Sequence, residues 1–304
     1  MSSTNQTPPD SSTPVRVMLI STPRSVSTAL MKCMSCIKGS LVFLEPYLLA
    51  CWFGKDKKFD NPFEGFIQPD DIVDVLGELE ATNIDYGYEV TETSYSWCKT
   101  ELEKEYPQKK LIFCKEISHS IRDHYDDLPI GFRYIFLIRN PMLVFPSWKK
   151  MQQKVLRIPM EDLNLNRWTE AMIPQCKGSV YEEMCNQFEF VKKNRDPNPI
   201  VIDAEDLLGN PAKILKTCFE QINMPYSDSI LQWDSSDSVT RDWVVATSCL
   251  QVNKVAGMYN EAIESGNFFA PKQLPNPNDL TEDERHFAQD GMPFYERLYE
   301  NRIE

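Results

Sequence analysis

The chain contains no apolar run of about eighteen residues, so nothing in it reads as a membrane span. Its first fourteen residues, rich in Ser, Thr, Pro and Asn, lack the apolar centre of a secretory signal and read as a disordered tail. Histidine is scarce, with three in 304 residues. The Cys33-x-x-Cys36 pair has no second pair to complete a zinc site, so two small residues on a helix are the simpler reading, with a redox or zinc role as the alternative. The nine cysteines suggest no disulfide framework, which fits a reducing, cytoplasmic setting. Positive charge is also short. Lys and Arg number 32 against 45 Asp and Glu, a net −13 that would repel nucleic acid and anionic membranes. An anionic ligand would need a local basic pocket set against that field. No internal repeat is visible.

What is present is ordinary for a globular protein: 42% hydrophobic and 25% charged residues, with enough length for a core that needs no staples. One domain over 15–304 is expected. Val15 to Ser21 is a short, largely apolar run suited to a buried parallel strand. Val26, Ala29, Leu30, Cys33, Met34 and Ile37 then recur with helical spacing. Between them lie Pro23, Arg24, Ser25, Ser27 and Thr28. A helix start offers unpaired N–H groups and the positive end of the dipole. With a guanidinium and three hydroxyls added, the turn becomes a cradle for an anion, most naturally phosphate. The plain alternative is a strand–turn–helix with a capping serine.

Further strands are expected at Leu41–Glu45, Leu111–Lys115, Tyr134–Ile138 and Val201–Ile202, the last ending in Asp203. Helices are expected from Asp70 or Asp71 to about Glu80, from Ser94 to Tyr106, and after Asn210-Pro211. Ser179 with Glu182 and Thr281 with Glu284 spell capping boxes, and helical patterning runs over about 167–194 and 241–264. Strands alternating with helices imply a three-layer α/β fold, with a central, mostly parallel sheet of about five strands and helices on both faces. In such sheets the ligand sits at the carboxyl ends of the strands. The fourth strand runs into Arg139-Asn140-Pro141, and Ser147 follows eight residues after Arg139. Pro146 removes a donor and interrupts the helix expected there.

Ser-Thr-Pro-Arg-Ser-Val-Ser-Thr-Ala-Leu resembles the phosphosulfate-binding loop of sulfotransferases that use 3′-phosphoadenosine 5′-phosphosulfate (PAPS), enzymes of the P-loop class. Arg-Tyr-Ile-Phe-Leu-Ile-Arg-Asn-Pro with its following Pro-Ser-Trp resembles their 3′-phosphate motif, and Val201 to Pro211 the start of a third landmark. The match is nearest to a divergent soluble branch with Pro-Arg-Ser-x-Ser-Thr loops, some of whose members are named branched-chain aminotransferase-like. No lysine here has a recognisable context for aminotransferase chemistry.

The resemblance implies roles by position. Arg24 grips the phosphosulfate and steadies charge on the bridging oxygen. Ser25, Val26, Ser27 and Thr28 hold the 5′-phosphate with the helix start, and Arg139 and Ser147 hold the 3′-phosphate. Val26 stands where many relatives have glycine, so the backbone is expected to manage there without positive φ. Ala204 replaces an aromatic that contacts adenine, and the glycine-rich basic segment near the carboxyl terminus is not visible; Arg241 or Lys254 are candidate substitutes.

A base must take the acceptor's proton. Glu45 and His119 are the candidates, with Glu116, Asp123 or no base as alternatives. His119 lies two residues beyond the family's Lys-x-His position, a displacement that preserves the face of a strand. Lys115 is placed to reach the sulfonate. Tyr47, Trp52, Phe53, Tyr95, Trp97, Trp148 and Trp243 are candidates to line the acceptor pocket, about half of them facing a cavity. The expectation is a sulfotransferase moving a sulfonate from PAPS to a hydroxyl or amine of a small molecule, by in-line displacement and without a metal. A homodimer is left open, and no nucleic acid or membrane partner is expected. The alternatives are a degenerate nucleotide-binding scaffold of the same fold, or a P-loop kinase, whose Walker loop would need glycines and a lysine that this loop lacks.

Overall fold

The computed structural model describes residues 13–57, 87–156, 164–165, 180–235, 243–246, 249, 253 and 257–304. Its strands are β1 (Val15–Ser21), β2 (Ser40–Leu44), β3 (Gly87–Tyr88), β4 (Leu111–Ile117), β5 (Arg133–Ile138), β6 (Ile200–Asp203) and β7 (Trp243–Ala246). They form one seven-stranded sheet in the order β3-β7-β2-β4-β1-β5-β6. Every pairing is parallel.

The five expected strands make up the centre and one flank of this sheet. Two short strands complete the other flank. One of them, β7, corrects the expected helical stretch over 241–264 at Trp243–Ala246. Trp-Val-Val-Ala is too short an apolar run for periodicity to separate strand from helix. The helix expected from Asp70 or Asp71, together with Cys176, Ser179, Arg241 and Lys254, lies outside the described residues, whereas the helix expected to follow Ser179 is present as Val180–Asn194.

Alternation along the strands gives the sheet two faces. Met18, Ile20, Phe43, Ile112, Cys114, Tyr134 and Phe136 point into one core. Val17, Leu19, Val42, Leu44, Phe113, Ile135 and Leu137 point into the other. The first face is covered by α3 (Tyr95–Glu103), α4 (Pro141–Leu156), α5 (Val180–Asn194) and α9 (Glu282–Tyr299). The second is covered by α1 (Ser27–Ser35), α6 (Ala204–Gly209) and α7 (Pro211–Gln221). Among the described residues two short helices remain, α2 (Pro46–Phe53) after β2 and α8 (Asn260–Ile263) beside α1. Each fully buried aliphatic side chain in these layers contributes about 1.5–3 kcal/mol relative to exposure.

Helix starts follow their local chemistry. The Asn210 side chain accepts from the Lys213 amide at 3.2 Å, with Pro211 in the first turn of α7. Ser94 caps α3 through the Trp97 amide at 3.0 Å. Thr281 and Glu284 form the capping box of α9. No helix among the described residues is long and apolar enough to cross a membrane.

One consequence of the layering positions the site. The chain leaves β1 into α1 on one face and leaves the adjacent β5 into α4 on the other. Between the carboxyl ends of β1 and β5 the connections therefore diverge and open a crevice, the usual ligand position in open parallel sheets.

Candidate functional site

The loop from Thr22 to Val26 joins β1 to α1 and is wound tightly. Arg24 has φ 61° and Val26 has φ 60°, both left-handed. Val26 does not avoid positive φ, which corrects the expectation for that position. The turn needs this conformation and a β-branched residue supplies it, at a cost of about 1–3 kcal/mol. Val26 is the N-cap of α1 and offers no side-chain cap. The first amides of α1 therefore have no capping hydroxyl, and the plain reading of a capping serine does not hold. Ser25 is turned away from this role: it is buried and its hydroxyl donates to the Thr22 carbonyl at 2.7 Å, bracing the loop. Ser27 is buried and Thr28 half-buried.

Arg24 and Arg139 meet in the crevice. An Arg139 Nη1–H donates to the Arg24 carbonyl at 3.0 Å, and Arg24 Nε–H donates to the Ser147 hydroxyl at 3.2 Å. Ser147 lies in α4, which starts at Pro141 with the Asn140 side chain accepting from the Met142 amide at 3.0 Å. Three sequence candidates from two motifs are thus joined by a chain of hydrogen bonds. Burial lowers the Arg24 pKa and the neighbouring Arg139 charge adds to the fall, while Glu261 opposes it.

Both guanidiniums are also tied to carboxylates that sequence reasoning did not single out. Glu205 Oε1 accepts from Arg139 Nε at 3.1 Å and from Nη2 at 2.8 Å. Glu261 lies 3.6 Å from Arg24 Nη2, and the Met258 carbonyl accepts from Arg24 Nη1 at 3.1 Å. Glu205 lies two residues past the end of β6, so the rule that ligands gather at strand ends could have found it. No local signal marks Glu261. Tyr181, fully buried on α5, donates its hydroxyl to the Arg139 carbonyl at 2.6 Å.

A second group lies at the ends of β2 and β4. Glu45, at φ 51°, follows β2, and its amide continues the ladder to the Lys115 carbonyl at 2.8 Å. Its Oε1 pairs with Lys115 Nζ, and both side chains are almost fully buried. Its Oε2 accepts from the Tyr259 hydroxyl at 2.5 Å. Glu116 faces the opposite side of β4. It accepts from the Tyr47 and Ile117 amides, each at 2.8 Å, and from the Ser120 hydroxyl at 2.9 Å. Burial, with the charge of Glu45, pushes its carboxyl up to about 8.

His119 departs from expectation. β4 ends at Ile117, and Ser118–Ser120 is a 3-10 turn, so strand alternation does not extend to it. Burial pushes its imidazole down to about 3, with the Lys115 charge adding to the shift, and its Nδ1 is buried without a hydrogen-bond partner. Asp123 has an exposed side chain and sits at φ 65°. Among the pocket candidates, Tyr47, Tyr95, Trp148 and Trp243 are core residues, and Trp52, Phe53 and Trp97 are partly buried against the core. Tyr95 stacks on His124 at 3.6 Å and donates to the Ser120 carbonyl. Ala204, the first residue of α6, is fully buried. The Cys33 and Cys36 thiols are both raised by burial, the opposite of a reactive pair. No group of three or more metal-ligating side chains occurs among the described residues.

No family model matches the chain. Two curated relatives from Arabidopsis thaliana are similar to it. Branched-chain-amino-acid aminotransferase-like protein 1 is 24% identical over 91% of this chain, and the similar protein 2 is 25% identical over 71%. The match spans only 40% and 31% of those proteins' own lengths. Similar solved structures include the sulfotransferase domain of the Synechococcus PCC 7002 olefin synthase, with TM-score 0.47 and 17% identity, covering 96% of this chain and 97% of that one. The sulfotransferase domain from the curacin biosynthetic pathway has TM-score 0.46 and 17% identity, covering 92% of this chain and 98% of that one. Retinol dehydratase in complex with retinol and PAP has TM-score 0.44 and 12% identity, covering 96% of this chain and 83% of that one.

Proposed function

We propose that this chain is a PAPS-dependent sulfotransferase acting on a hydroxyl or amine of a small molecule in the cytoplasm. The observation that carries the reading is the meeting of Arg24, Arg139 and Ser147 in the crevice between β1 and β5. Two cations and an uncapped helix start at one strand-end crevice suit a ligand with more than one anionic group. Against a net charge of −13 for the chain as a whole, that local concentration of positive charge is selective.

In this reading the first amides of α1, with Ser27 and Thr28, hold the 5′-phosphate. Arg24 spans the phosphosulfate and stabilises charge on the bridging oxygen as the S–O bond breaks. Its forked donors suit that geometry. Arg139 and Ser147 face the 3′-phosphate. The acceptor oxygen or nitrogen attacks sulfur in line, its proton passes to a base, and 3′,5′-phosphoadenosine (PAP) leaves. Glu45 is the base in this reading. It follows β2 and pairs with Lys115, to which this reading gives the sulfonate, whereas burial makes His119 a weak base with a conjugate acid near 3. The protein's contribution is positioning and charge stabilisation, with no covalent intermediate on the chain.

Thermal shift with PAP against ATP tests the proposal. Stabilisation by PAP and not by ATP is expected. A rise with ATP alone would favour a kinase, and no rise with either would favour a scaffold that kept the fold.

A further inference from the structure

The two halves of the site are joined through one short segment. The Met258 carbonyl accepts from Arg24 Nη1 at 3.1 Å, and Glu261 lies 3.6 Å from Arg24 Nη2. Between these two residues Tyr259 donates its hydroxyl to Glu45 Oε2 at 2.5 Å. The side chain that reaches Glu45 therefore belongs to the immediate neighbour of a residue that touches Arg24.

The segment is fixed where it stands. The Tyr259 amide donates to Asn253 Oδ1 at 2.7 Å, and Asn253 Nδ2 donates to Asn260 Oδ1 at 3.0 Å. The fully buried Lys32 of α1 donates its ammonium to the Ile263 and Ser265 carbonyls. The Tyr259 ring faces the Lys115 ammonium, with Nζ 5.8 Å from the ring centroid, and the Cys249 thiol adjoins the hydroxyl.

Glu45 itself is withdrawn from solvent. Its side chain is 3% exposed, with Oε1 given to Lys115 and Oε2 to Tyr259. Tyr259 is half-buried and is the more accessible partner of the two. A carboxylate so enclosed receives a proton from outside through a group that carries it. A phenolic hydroxyl both accepts and donates, so it can take one proton while giving up another. Burial, with the charge of Glu45, raises the Tyr259 phenol well above its ordinary value. A free phenolate is disfavoured there, and the two transfers go together.

We propose that Tyr259 is a further catalytic residue, whose hydroxyl relays the acceptor's proton to Glu45. The proposal rests on the sulfotransferase reading and on Glu45 as its base. The acceptor oxygen or nitrogen forms its bond to sulfur as its proton passes to Tyr259 Oη, and the Oη proton passes to Glu45 Oε2. The bond from sulfur to the bridging oxygen breaks, and its electron pair leaves on PAP. Tyr259 ends as a neutral phenol and Glu45 as a carboxylic acid, which returns its proton to water through the same hydroxyl once the products have gone. Lys115 stays beside Glu45 and acts on the sulfonate through its charge.

The test follows single turnovers of radiolabelled PAPS by the full chain, with water alone as the acceptor and with benzyl alcohol as a probe hydroxyl, alongside calorimetric titration with PAP. In mixtures of light and heavy water the wild-type rate should fall along a curve, because two protons move in one step. Tyr259→Phe keeps the ring beside Lys115 and removes the hydroxyl. Its rate should drop by about a hundredfold or more, with PAP affinity within about threefold of the wild type. A straight dependence on heavy water in the wild type would overturn the relay and leave Tyr259 a support for Glu45. A Tyr259→Phe rate within about tenfold of the wild type would overturn it as well. So would a wild type that binds PAP and consumes PAPS with neither acceptor, although the nucleotide reading of the crevice would stand. Failure of the wild type to bind PAP would instead overturn that reading, and the relay with it. Circular dichroism of the variant confirms that its fold is intact.

Discussion

The arginine half of the site and the carboxyl half are organised in opposite ways. Around Arg24 and Arg139 the cations belong to the strand-end loops, and the partners that hold them come from distant segments, Glu205 and Glu261. Around Glu45, Lys115 and Glu116 the charges are sealed in: all three side chains are buried and meet partners on neighbouring strands or at the start of α2. The first half is suited to exchanging partners with a soluble anion. The second is suited to holding a proton in a defined place. Backbone strain marks both, with left-handed φ at Arg24 and Val26 in one and at Glu45 in the other. Such strain gathers where side chains must be aimed rather than merely packed.

The largest test of this contrast lies in the arginine half. Arg24→Ala should reduce sulfonate transfer by about a thousandfold or more, because the transferring group loses its partner, while loss of the part-exposed bonds to Ser147 and the Met258 carbonyl lowers the melting temperature only slightly. Turnover within tenfold of the wild type would remove the functional distinction between the halves. In the carboxyl half the loss of the proposed base is joined by an effect on stability. Glu45→Ala leaves the Lys115 ammonium buried without its ion-pair partner and should destabilise the fold by about 3–5 kcal/mol, read by urea denaturation. Replacing both as Glu45→Leu with Lys115→Met should recover most of that loss.

A smaller effect follows from Glu116. Its folded pKa of about 8 lies above its ordinary value of 4.5. Between those values the folded chain keeps a proton that the unfolded chain has released, so stability falls as pH rises through that window. Melting temperatures of the wild type should decline from pH 5 to pH 8, and Glu116→Gln should flatten the decline. An equal slope in the variant would place the proton elsewhere. The smallest expected change is Val26→Gly, which relieves a left-handed β-branched residue and should stabilise the chain by about 1 kcal/mol or less. Destabilisation would show that packing of the Val26 side chain outweighs its backbone strain.

Much of the frame was legible because it rests on local signals. The five long apolar runs are strands, and Asn210, Ser94 and the Thr281 box cap the helices that follow them. Arg24, Arg139 and Ser147 could be placed together because strand-end reasoning needs only the order of elements and the parallel sheet. What escaped was set by contacts far apart in the chain. Glu45 and Lys115 are separated by 70 residues, and Glu45 and Tyr259 by 214. No periodicity reports such pairings. β7 escaped because four apolar residues carry no period, and His119 was misjudged because the strand assumed to reach it stops at Ile117. The left-handed Val26 escaped because propensity argues against it, and a tightly wound functional loop is where propensity is overruled.

The most direct measurement is a crystal structure of the chain with PAP. The account predicts the nucleotide lying across the ends of β1 and β5, its 5′-phosphate on the first amides of α1 beside Arg24 and its 3′ end at the Arg139–Glu205 pair. A nucleotide bound away from that crevice, or bound there with its two ends exchanged, would contradict it.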